Sequence, residues 1–287
     1  MKQLTVISGK GGTGKTSLVG AFAALAENKV LADCDVDASD LHLLLQPEVN
    51  VKEDFKALET AVINEGKCIK CGVCMEKCRF NAIKDFKVNL LSCEGCGVCT
   101  IVCPVSAVSM HDKVAGESFI SETRFGPLCH ARLQPGEEAS GKLVTVVRNK
   151  AKEIAKEKNS DLIIIDGSPG IGCPVIASIG GVDQVLVVTE PTMSGLHDLE
   201  RILGVVAHFK VSAVVCINKF DINPEKADEI EEYCKEQGVR VVGKIPYDVS
   251  FTKAMIEGKT IIEHASEGVS GIINDVWSNV LEVLKDG

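Results

Sequence analysis

The feature that most constrains the fold is a glycine-rich segment that lies between an apolar run and a helical pattern. Residues 9–16 read GKGGTGKT, which contains the phosphate-binding signature G-x-x-x-x-G-K-T. Leu4 to Ile7 before it form a strand-length apolar run, and residues 17–27 after it follow a helical pattern. A glycine-rich turn between a strand and a helix presents backbone amides to an anion. The segment therefore predicts a phosphate-binding loop in an α/β fold.

The residues of this loop supply the groups that a nucleotide phosphate needs. Its backbone amides are expected to face the anion, and Lys15 adds a positive charge beside the β- and γ-phosphates. The hydroxyl of Thr16 is placed to ligate Mg²⁺. The predicted nucleotide contacts are Gly11, Gly12, Thr13, Gly14, Lys15, Thr16 and Ser17.

A second pattern consists of two sets of four cysteines. Each set reads C-x2-C-x2-C-x3-C, and each cysteine of the second set follows its counterpart by 25 residues. Three cysteines at steps of three, followed by a fourth, are typical of 4Fe-4S ligation; zinc, the alternative, needs only two short C-x2-C pairs. The predicted ligands are Cys68, Cys71, Cys74 and Cys78 in the first set and Cys93, Cys96, Cys99 and Cys103 in the second.

Residues 64–108 resemble a bacterial-type ferredoxin with two 4Fe-4S clusters. Pro104 follows the last cysteine as in that family, whereas Arg79 stands where the first set would repeat the proline. In two-cluster ferredoxins the fourth cysteine of each set ligates the other cluster. The resemblance therefore implies one cluster on Cys68, Cys71, Cys74 and Cys103, and a second on Cys93, Cys96, Cys99 and Cys78.

The rest of the chain carries further motifs in a recognisable order. Residues 10–16 read KGGTGKT, 30–40 read VLADCDVDASD, 161–174 read DLIIIDGSPGIGCP and 185–199 read VLVVTEPTMSGLHDL. Together they resemble the deviant Walker A group of P-loop ATPases, which includes MinD, Mrp-type scaffold proteins and the nitrogenase iron protein. The resemblance implies an ATP-bound dimer in which Lys10 reaches the nucleotide held by the other subunit.

The same resemblance implies roles for residues outside the loop. Asp35 is expected to position the attacking water, Asp166 to act as the Walker B acid and Asp40 to contact the Mg²⁺ shell. Residues 214–221 and 243–248 stand where the family holds its adenine. The predicted catalytic residues are Lys10, Lys15, Asp35 and Asp166, and the predicted base contacts are Asn218 and Pro246.

The choice of nucleobase is less sharply constrained. Residues 218–221 read NKFD, which spells the N-K-x-D motif with which GTPases read guanine. ATP is favoured because the family resemblance covers nearly all of the ATPase part, and GTP stays the alternative. Asn218 is expected to contact the base in either case.

The order of the motifs also predicts the domain organisation. Strands that alternate with helical stretches indicate an α/β fold with a doubly wound parallel sheet. The cysteine repeat interrupts it, so the P-loop ATPase domain is predicted at 1–63 and 109–287, with a small α+β ferredoxin-like domain inserted at 64–108. This arrangement resembles MinD-superfamily ATPases that carry an inserted ferredoxin domain.

Composition narrows the classes of partner. A net charge of −9 without an evident cluster of cations argues against nucleic acid. The chain shows neither a signal-peptide pattern nor an apolar stretch of the roughly 20 residues that cross a bilayer. The C-terminal helical segment has too few cations for a stable membrane anchor. These features predict a cytoplasmic protein, whose thiols stay available as ligands.

Two classes of function fit these patterns. In the first, ATP closes a homodimer, or a pseudo-symmetric heterodimer with a related ATPase, and so gates electron flow to a redox partner protein. In the second, the clusters sense redox state or iron supply for a regulatory or positioning ATPase; a cluster assembly or carrier protein is a weaker option. Cys173 has the spacing from Asp166 that the nitrogenase iron protein uses for an inter-subunit cluster, although a structural role in its tight turn is favoured.

Overall fold

The computed structural model describes residues 1–137, 140–264 and 268–286. The strands are β1 (Lys2–Ser8), β2 (Lys29–Asp33), β3 (Glu48–Ile63), β4 (Ile83–Lys84), β5 (Lys87–Val88), β6 (Val108–Thr123), β7 (Gly126–Leu133), β8 (Leu162–Pro169), β9 (Gln184–Thr189), β10 (Ser212–Asn218) and β11 (Arg240–Ile245).

Helices cover much of the rest of the chain. They are α1 (Lys15–Leu25), α2 (Leu41–Leu45), α3 (Val73–Lys77), α4 (Val98–Ile101), α5 (Ser140–Glu157), α6 (Cys173–Ile179), α7 (Met193–His208), α8 (Pro224–Glu236), α9 (Ser250–Ile256), α10 (Ile261–His264) and α11 (Val269–Asp286), with a 3₁₀ turn at Phe220–Ile222.

The chain divides into two compact units. The first comprises Met1–Lys52, Ser118–Arg132 and Ser140–Gly287, and the second Glu53–Glu117 and Leu133–Ala139. The predicted insert, 64–108, falls inside the second unit. This unit is longer than the predicted insert because it also includes parts of two 16-residue strands: β3 begins in the first unit and ends in the second, and β6 begins in the second and ends in the first.

The first unit is built on a parallel sheet. Its strands follow the order β11-β10-β9-β1-β8-β2-β7, and β1 pairs in parallel with both β8 and β9. Residues 162–165 and 185–188 are continuous apolar runs and are buried, as expected for strands covered on both faces. The predicted α/β parallel-sheet P-loop fold is confirmed. Its carboxyl edge collects the ends of β1, β2, β8, β9 and β10.

The C-terminal helix α11 belongs to the core of the first unit. Trp277 packs on Phe22 of α1, with ring centroids 4.6 Å apart, and Val276 and Val280 are buried. Because Gly243 has no side chain, α11 can approach β11 closely; a Cβ on Gly243 would lie 2.5 Å from Val276. None of the described helices is both long and apolar enough to cross a membrane.

The second unit repeats its backbone conformation at an interval of 25 residues. Gly72 (φ 80°) and Gly97 (φ 73°) precede α3 and α4 in the left-handed region that favours glycine. The two halves of the repeat also form equivalent backbone hydrogen bonds: the amide of Asn64 donates to Ala107 O at 2.8 Å, and that of Asn89 donates to Ala82 O at 2.7 Å. The two halves are therefore equivalent in structure and hydrogen-bonded to each other.

Candidate functional site

The glycine-rich loop connects β1 to α1 at the carboxyl edge of the sheet. Gly12 (φ 83°) and Gly14 (φ 92°) take a backbone conformation that other residues adopt only with strain. A Cβ on Gly14 would also lie 2.3 Å from Asn218 Nδ2. The loop lines a cavity of about 420 Å³ together with Asp35 and Asp40, a volume within the range of small-molecule sites.

Lys15 is the buried cation of this cavity. Its Nζ contacts Asp166 Oδ1 and lies 3.6 Å from Asp35 Oδ2. Burial acts to lower the pKa of Lys15, but the charges of Asp166 and Asp35 outweigh burial and raise it. The predicted catalytic residues Lys15, Asp35 and Asp166 are thus brought together from α1, the segment after β2, and β8.

Asp33, which sequence reasoning missed, is the fourth charged group of this cluster. It is fully buried at the end of β2 and accepts hydrogen bonds from Ser39 Oγ at 2.6 Å and from the amide of Asp35 at 3.1 Å. Burial, followed by the charge of Asp166, raises the pKa of Asp33 to about 7. Burial also raises the pKa of Asp35, to about 6, against the opposing charge of Lys15.

Two buried oxygens of this site are available to a ligand. Asp166 Oδ2 and Thr13 Oγ1 make no hydrogen bond to any described residue. A buried polar atom without a partner is costly, and a hydrated Mg²⁺ or a phosphate oxygen supplies such a partner. Thr16 Oγ1 lies 3.3 Å from Lys15 Nζ, within the same group of atoms. The residues present therefore fit a magnesium nucleotide.

Two residues of the NKFD segment, 218–221, donate hydrogen bonds to the phosphate-binding loop. Asn218 Nδ2 donates to Thr13 O at 2.7 Å, and Lys219 Nζ donates to Gly12 O at 2.9 Å. Asp221 Oδ1 accepts from the amide of Tyr247 at 2.6 Å, which joins this segment to the turn that contains Pro246. Asn218 thus contacts the loop directly, and the contact of Asn218 and Pro246 with a base stays a prediction.

Lys10 lies apart from the buried cluster. Its Nζ is 2.6 Å from Glu190 Oε1 and donates to Ser194 Oγ at 3.2 Å, at the turn between β9 and α7. The other oxygen of Glu190 lies 3.2 Å from Lys219 Nζ. Burial acts to raise the pKa of Glu190, but hydrogen bonds from the two lysines lower it. The sequence of residues 189–192, TEPT, does not indicate that Glu190 pairs with two lysines.

The remaining predicted residues of the nucleotide site, Asp40, Ser17 and Gly11, differ in their contacts with other residues. Asp40 is exposed and stands immediately before α2, where it lines the cavity. Ser17 Oγ lies 3.7 Å from Sδ of Met255, which also lines the cavity. Gly11 has open space around it.

The eight repeated cysteines surround two small cavities in the second unit. The Cys68 cavity is lined by Cys68, Cys71, Cys74 and Cys103; the Cys93 cavity is lined by Cys93, Cys96, Cys99 and Cys78. The amide of Ala107 donates to Cys103 Sγ at 3.2 Å, and that of Ala82 donates to Cys78 Sγ at 3.4 Å. Each cavity therefore takes its fourth cysteine from the other half of the repeat.

The cysteines outside the repeat include Cys173, which is exposed at the start of α6, and Cys129, which is buried in β7. Among the residues that the structure describes, no three or more His, Cys, Asp or Glu side chains converge on the position of a single metal ion; the four cysteines of each set instead line a cavity.

The parallel sheet, the loop at its carboxyl edge and the buried Lys15 with three carboxylates define a P-loop nucleotide-binding ATPase. The chain belongs to the CobQ/CobB/MinD/ParA nucleotide binding domain family, whose model matches residues 4–261.

Known proteins resemble the chain over nearly its full length. An uncharacterized protein of Methanocaldococcus jannaschii is 33% identical over 285 residues, which are 98% of this chain and 97% of that protein. The septum site-determining protein MinD of Buchnera aphidicola is 24% identical over 98% of this chain and 91% of its own length. The crystal structure of the Pyrococcus furiosus cell division ATPase MinD shares the fold, with a TM-score of 0.62 and 17% identity over 98% of this chain and 99% of that one.

Proposed function

We propose that this ATPase carries two 4Fe-4S clusters and couples an ATP-dependent dimer switch to electron transfer. The observation that carries the proposal is the division of eight cysteines into two rings of four, one around each cavity. Amide donors to Cys78 and Cys103 fit thiolates that carry negative charge. The rings match the crossed ligand sets that the ferredoxin resemblance implies.

In this proposal, the residues of the nucleotide site bind and hydrolyse ATP. Lys15 exchanges its internal partner Asp166 for the β- and γ-phosphates, which frees Asp166 to hold the Mg²⁺ shell. Thr16 would ligate Mg²⁺, and Asp40 would face its outer shell. Asp35, with its pKa raised toward neutrality, orients the attacking water. ATP is the proposed substrate, with GTP as the alternative.

The residues of the two rings perform the redox part. Cys68, Cys71, Cys74 and Cys103 would hold one cluster, and Cys93, Cys96, Cys99 and Cys78 the other. A bound 4Fe-4S cluster supplies reversible one-electron transfer. The chain contributes the tight turns at Gly72 and Gly97 and the amides that face the sulfurs.

Lys10 connects the two parts through dimerisation. In a homodimer, or in a heterodimer with a related ATPase, its ammonium reaches the phosphates held by the other subunit. Such a charge supplied across an interface stabilises the transition state as an arginine finger does. Closure of the dimer then changes how the redox-active unit meets its partner protein.

The fold similarity to MinD favours a second candidate, in which clusters sense redox state or iron supply and bias a positioning ATPase. Redox titration with and without ATP, together with ATPase rates of oxidised and reduced protein, separates the two. Electron gating predicts that ATP shifts the cluster potential, and linkage then requires that reduction changes ATP affinity. A potential that is indifferent to ATP would leave the positioning ATPase as the better account.

The parts themselves are tested by analysis of anaerobically purified protein. We expect close to eight irons and eight acid-labile sulfides per chain, and Lys15→Ala should lose tight ATP binding while it keeps the iron. Zinc at two atoms per chain without broad visible absorption would overturn the iron–sulfur proposal. Equal or tighter binding of GTP than of ATP would overturn the choice of base.

A further inference from the structure

Four exposed lysines lie within two residues of side chains that line the Cys68 cavity. Lys67 precedes Cys68, and Lys70 lies between Ile69 and Cys71, all three of which line the cavity. Lys84 and Lys87 face each other across the β4–β5 hairpin, whose tip residue Phe86 also lines the cavity. The rim of this cavity therefore carries a group of ammonium charges that the net charge of −9 conceals.

These lysines have no counterions among the residues that the structure describes. Within the described part of the chain, Lys67, Lys70, Lys84 and Lys87 form no ion pair. Other lysines of the same unit are paired: Lys56 with Asp112, Lys77 with Glu76 and Lys113 with Glu137. Exposed acids near the rim are Glu65 and Asp85, so the rim keeps an excess of positive charge.

The 25-residue repeat provides an internal comparison. Ile69, which is 62% exposed on the rim of the Cys68 cavity, corresponds to Glu94 on the rim of the Cys93 cavity. The cations near the Cys93 cavity include Lys77 and Lys113, which are paired with Glu76 and Glu137, and Arg79, which follows Cys78. The positions that correspond to the four lysines are Ser92, Gly95, Ser109 and Asp112. Both cavities have exposed apolar lining residues, Ile69 at the Cys68 cavity and Phe80 and Val98 at the Cys93 cavity, so the two rims differ mainly in their unpaired lysines.

We propose that the rim of the Cys68 cavity is the docking surface for a redox protein with an acidic surface, and that electrons enter or leave the chain there. The inference rests on the proposed function, since it requires a cluster in that cavity. Unpaired surface cations steer an oppositely charged partner and raise its association rate by about 10- to 1000-fold. Ile69 and the exposed Cys71 supply the apolar centre at which such a partner excludes water.

The test uses the full-length oxidised protein and two one-electron donors. A flavodoxin in its hydroquinone form is the acidic protein probe, and reduced methyl viologen is the small cationic probe. Each donor loses one electron and the protein gains it, which is followed by the loss of visible absorbance in stopped-flow experiments. We expect reduction by flavodoxin to slow steeply as NaCl increases, whereas reduction by methyl viologen should not slow.

Charge-reversal variants locate the surface. Lys84→Glu/Lys87→Glu should lower the flavodoxin rate about tenfold or more and remove its salt dependence. Lys156→Glu/Lys235→Glu changes the net charge equally at two exposed helix positions of the first unit and should leave that rate nearly unchanged. Iron content and the visible spectrum of both variants show whether the cysteine rings are intact.

The outcomes separate this inference from the proposed function. Wild-type protein without iron would overturn the proposed function and the docking surface with it. Full iron content, with equal flavodoxin rates in the two double variants, would overturn the docking surface alone. Tight binding of a single-stranded oligonucleotide that only Lys84→Glu/Lys87→Glu abolishes would assign the rim to nucleic acid and overturn the acidic protein partner.

Discussion

Glu190 holds Lys10 within its own chain: Oε1 of the carboxylate lies 2.6 Å from Lys10 Nζ. The same carboxylate meets Lys219, whose ammonium donates to the carbonyl of Gly12 in the phosphate-binding loop. A lysine that is to reach across a dimer interface must first leave this partner. The ion pair with Glu190 therefore opposes the closure that the proposed mechanism requires.

Replacement of Glu190 by Gln should favour the ATP-dependent dimer. The amide removes the charge that holds Lys10 and keeps the size of the side chain. We expect half-maximal dimerisation at a several-fold lower ATP concentration, measured by sedimentation velocity. Glu200→Gln is the matched control, because Glu200 lies in α7, the helix that follows Glu190, and its Oε2 is 3.8 Å from His197 Nδ1, whereas Lys10 pairs with Glu190. An unchanged or weaker dimer for Glu190→Gln would contradict this role.

Lys10 and Asp35 should have opposite effects when truncated. Lys10→Ala should still bind ATP through Lys15 and the loop amides but should neither dimerise nor hydrolyse at more than about a thousandth of the wild-type rate. Asp35→Ala should bind ATP and accumulate as a slowly hydrolysing dimer. Sedimentation velocity and single-turnover hydrolysis check both. A Lys10→Ala protein that dimerises normally would show that Lys10 does not act across the interface.

The pKa of Asp33 should govern part of the pH dependence of stability. Because burial raises this pKa to about 7 in the folded protein, the folded state binds the proton more tightly than the unfolded chain does. The contribution of Asp33 is therefore most favourable near pH 4 and is lost as the pH rises through about 7. Asp33→Asn should flatten the thermal-unfolding profile of the nucleotide-free protein over this interval.

Asp37→Asn provides the control for that measurement, since Asp37 is an exposed carboxylate in the same segment. Its profile should follow that of the wild type. If the stability of the wild type changed between pH 4 and 7 by the same amount as that of Asp33→Asn, ionisation of Asp33 in the folded protein would cost no free energy. That outcome would contradict the raised pKa of Asp33.

Gly14 and Gly11 should respond differently to alanine. Gly14→Ala places a Cβ 2.3 Å from Asn218 Nδ2 at a φ of 92°, so the loop must shift. We expect a loss of unfolding free energy of more than about 1 kcal/mol and loss of ATP binding. Gly11→Ala meets no atom within 4 Å and should keep both. Calorimetric titration with ATP distinguishes them, and equal binding by the two variants would refute this account of the loop.

Local sequence predicts the parts of this molecule that depend on backbone conformation. The loop and Lys15 follow from a motif in which strand, glycines and helix are contiguous. Asp166 follows from the family resemblance of residues 161–174, and the structure brings Lys15 and Asp166 together. The parallel sheet follows from buried apolar runs between helical stretches. These features are encoded within short contiguous stretches, such as the 7 residues of β1 and the 8 residues of β8.

Tertiary partners are not encoded in the same way. Glu190 meets Lys10 from 180 residues away, and nothing in the TEPT segment specifies that contact. Asp33 reads as an ordinary strand-end acid, and only its complete burial beside Asp166 raises its pKa. The first and last residues of the second unit could not be predicted from the sequence either. β3 and β6 continue from one unit to the other, and no turn or glycine-rich linker marks the boundary in either strand.

The exchange of Cys78 and Cys103 between the two cysteine rings has a consequence for synthesis on the ribosome. Cys68, Cys71 and Cys74 emerge first, but their ring cannot close until Cys103 has also been translated. The ring around the Cys93 cavity depends in turn on Cys78, from the earlier half. Neither half is a self-sufficient module, so a nascent chain that stops before Cys103 completes only one ring, and deletion of either repeat abolishes both.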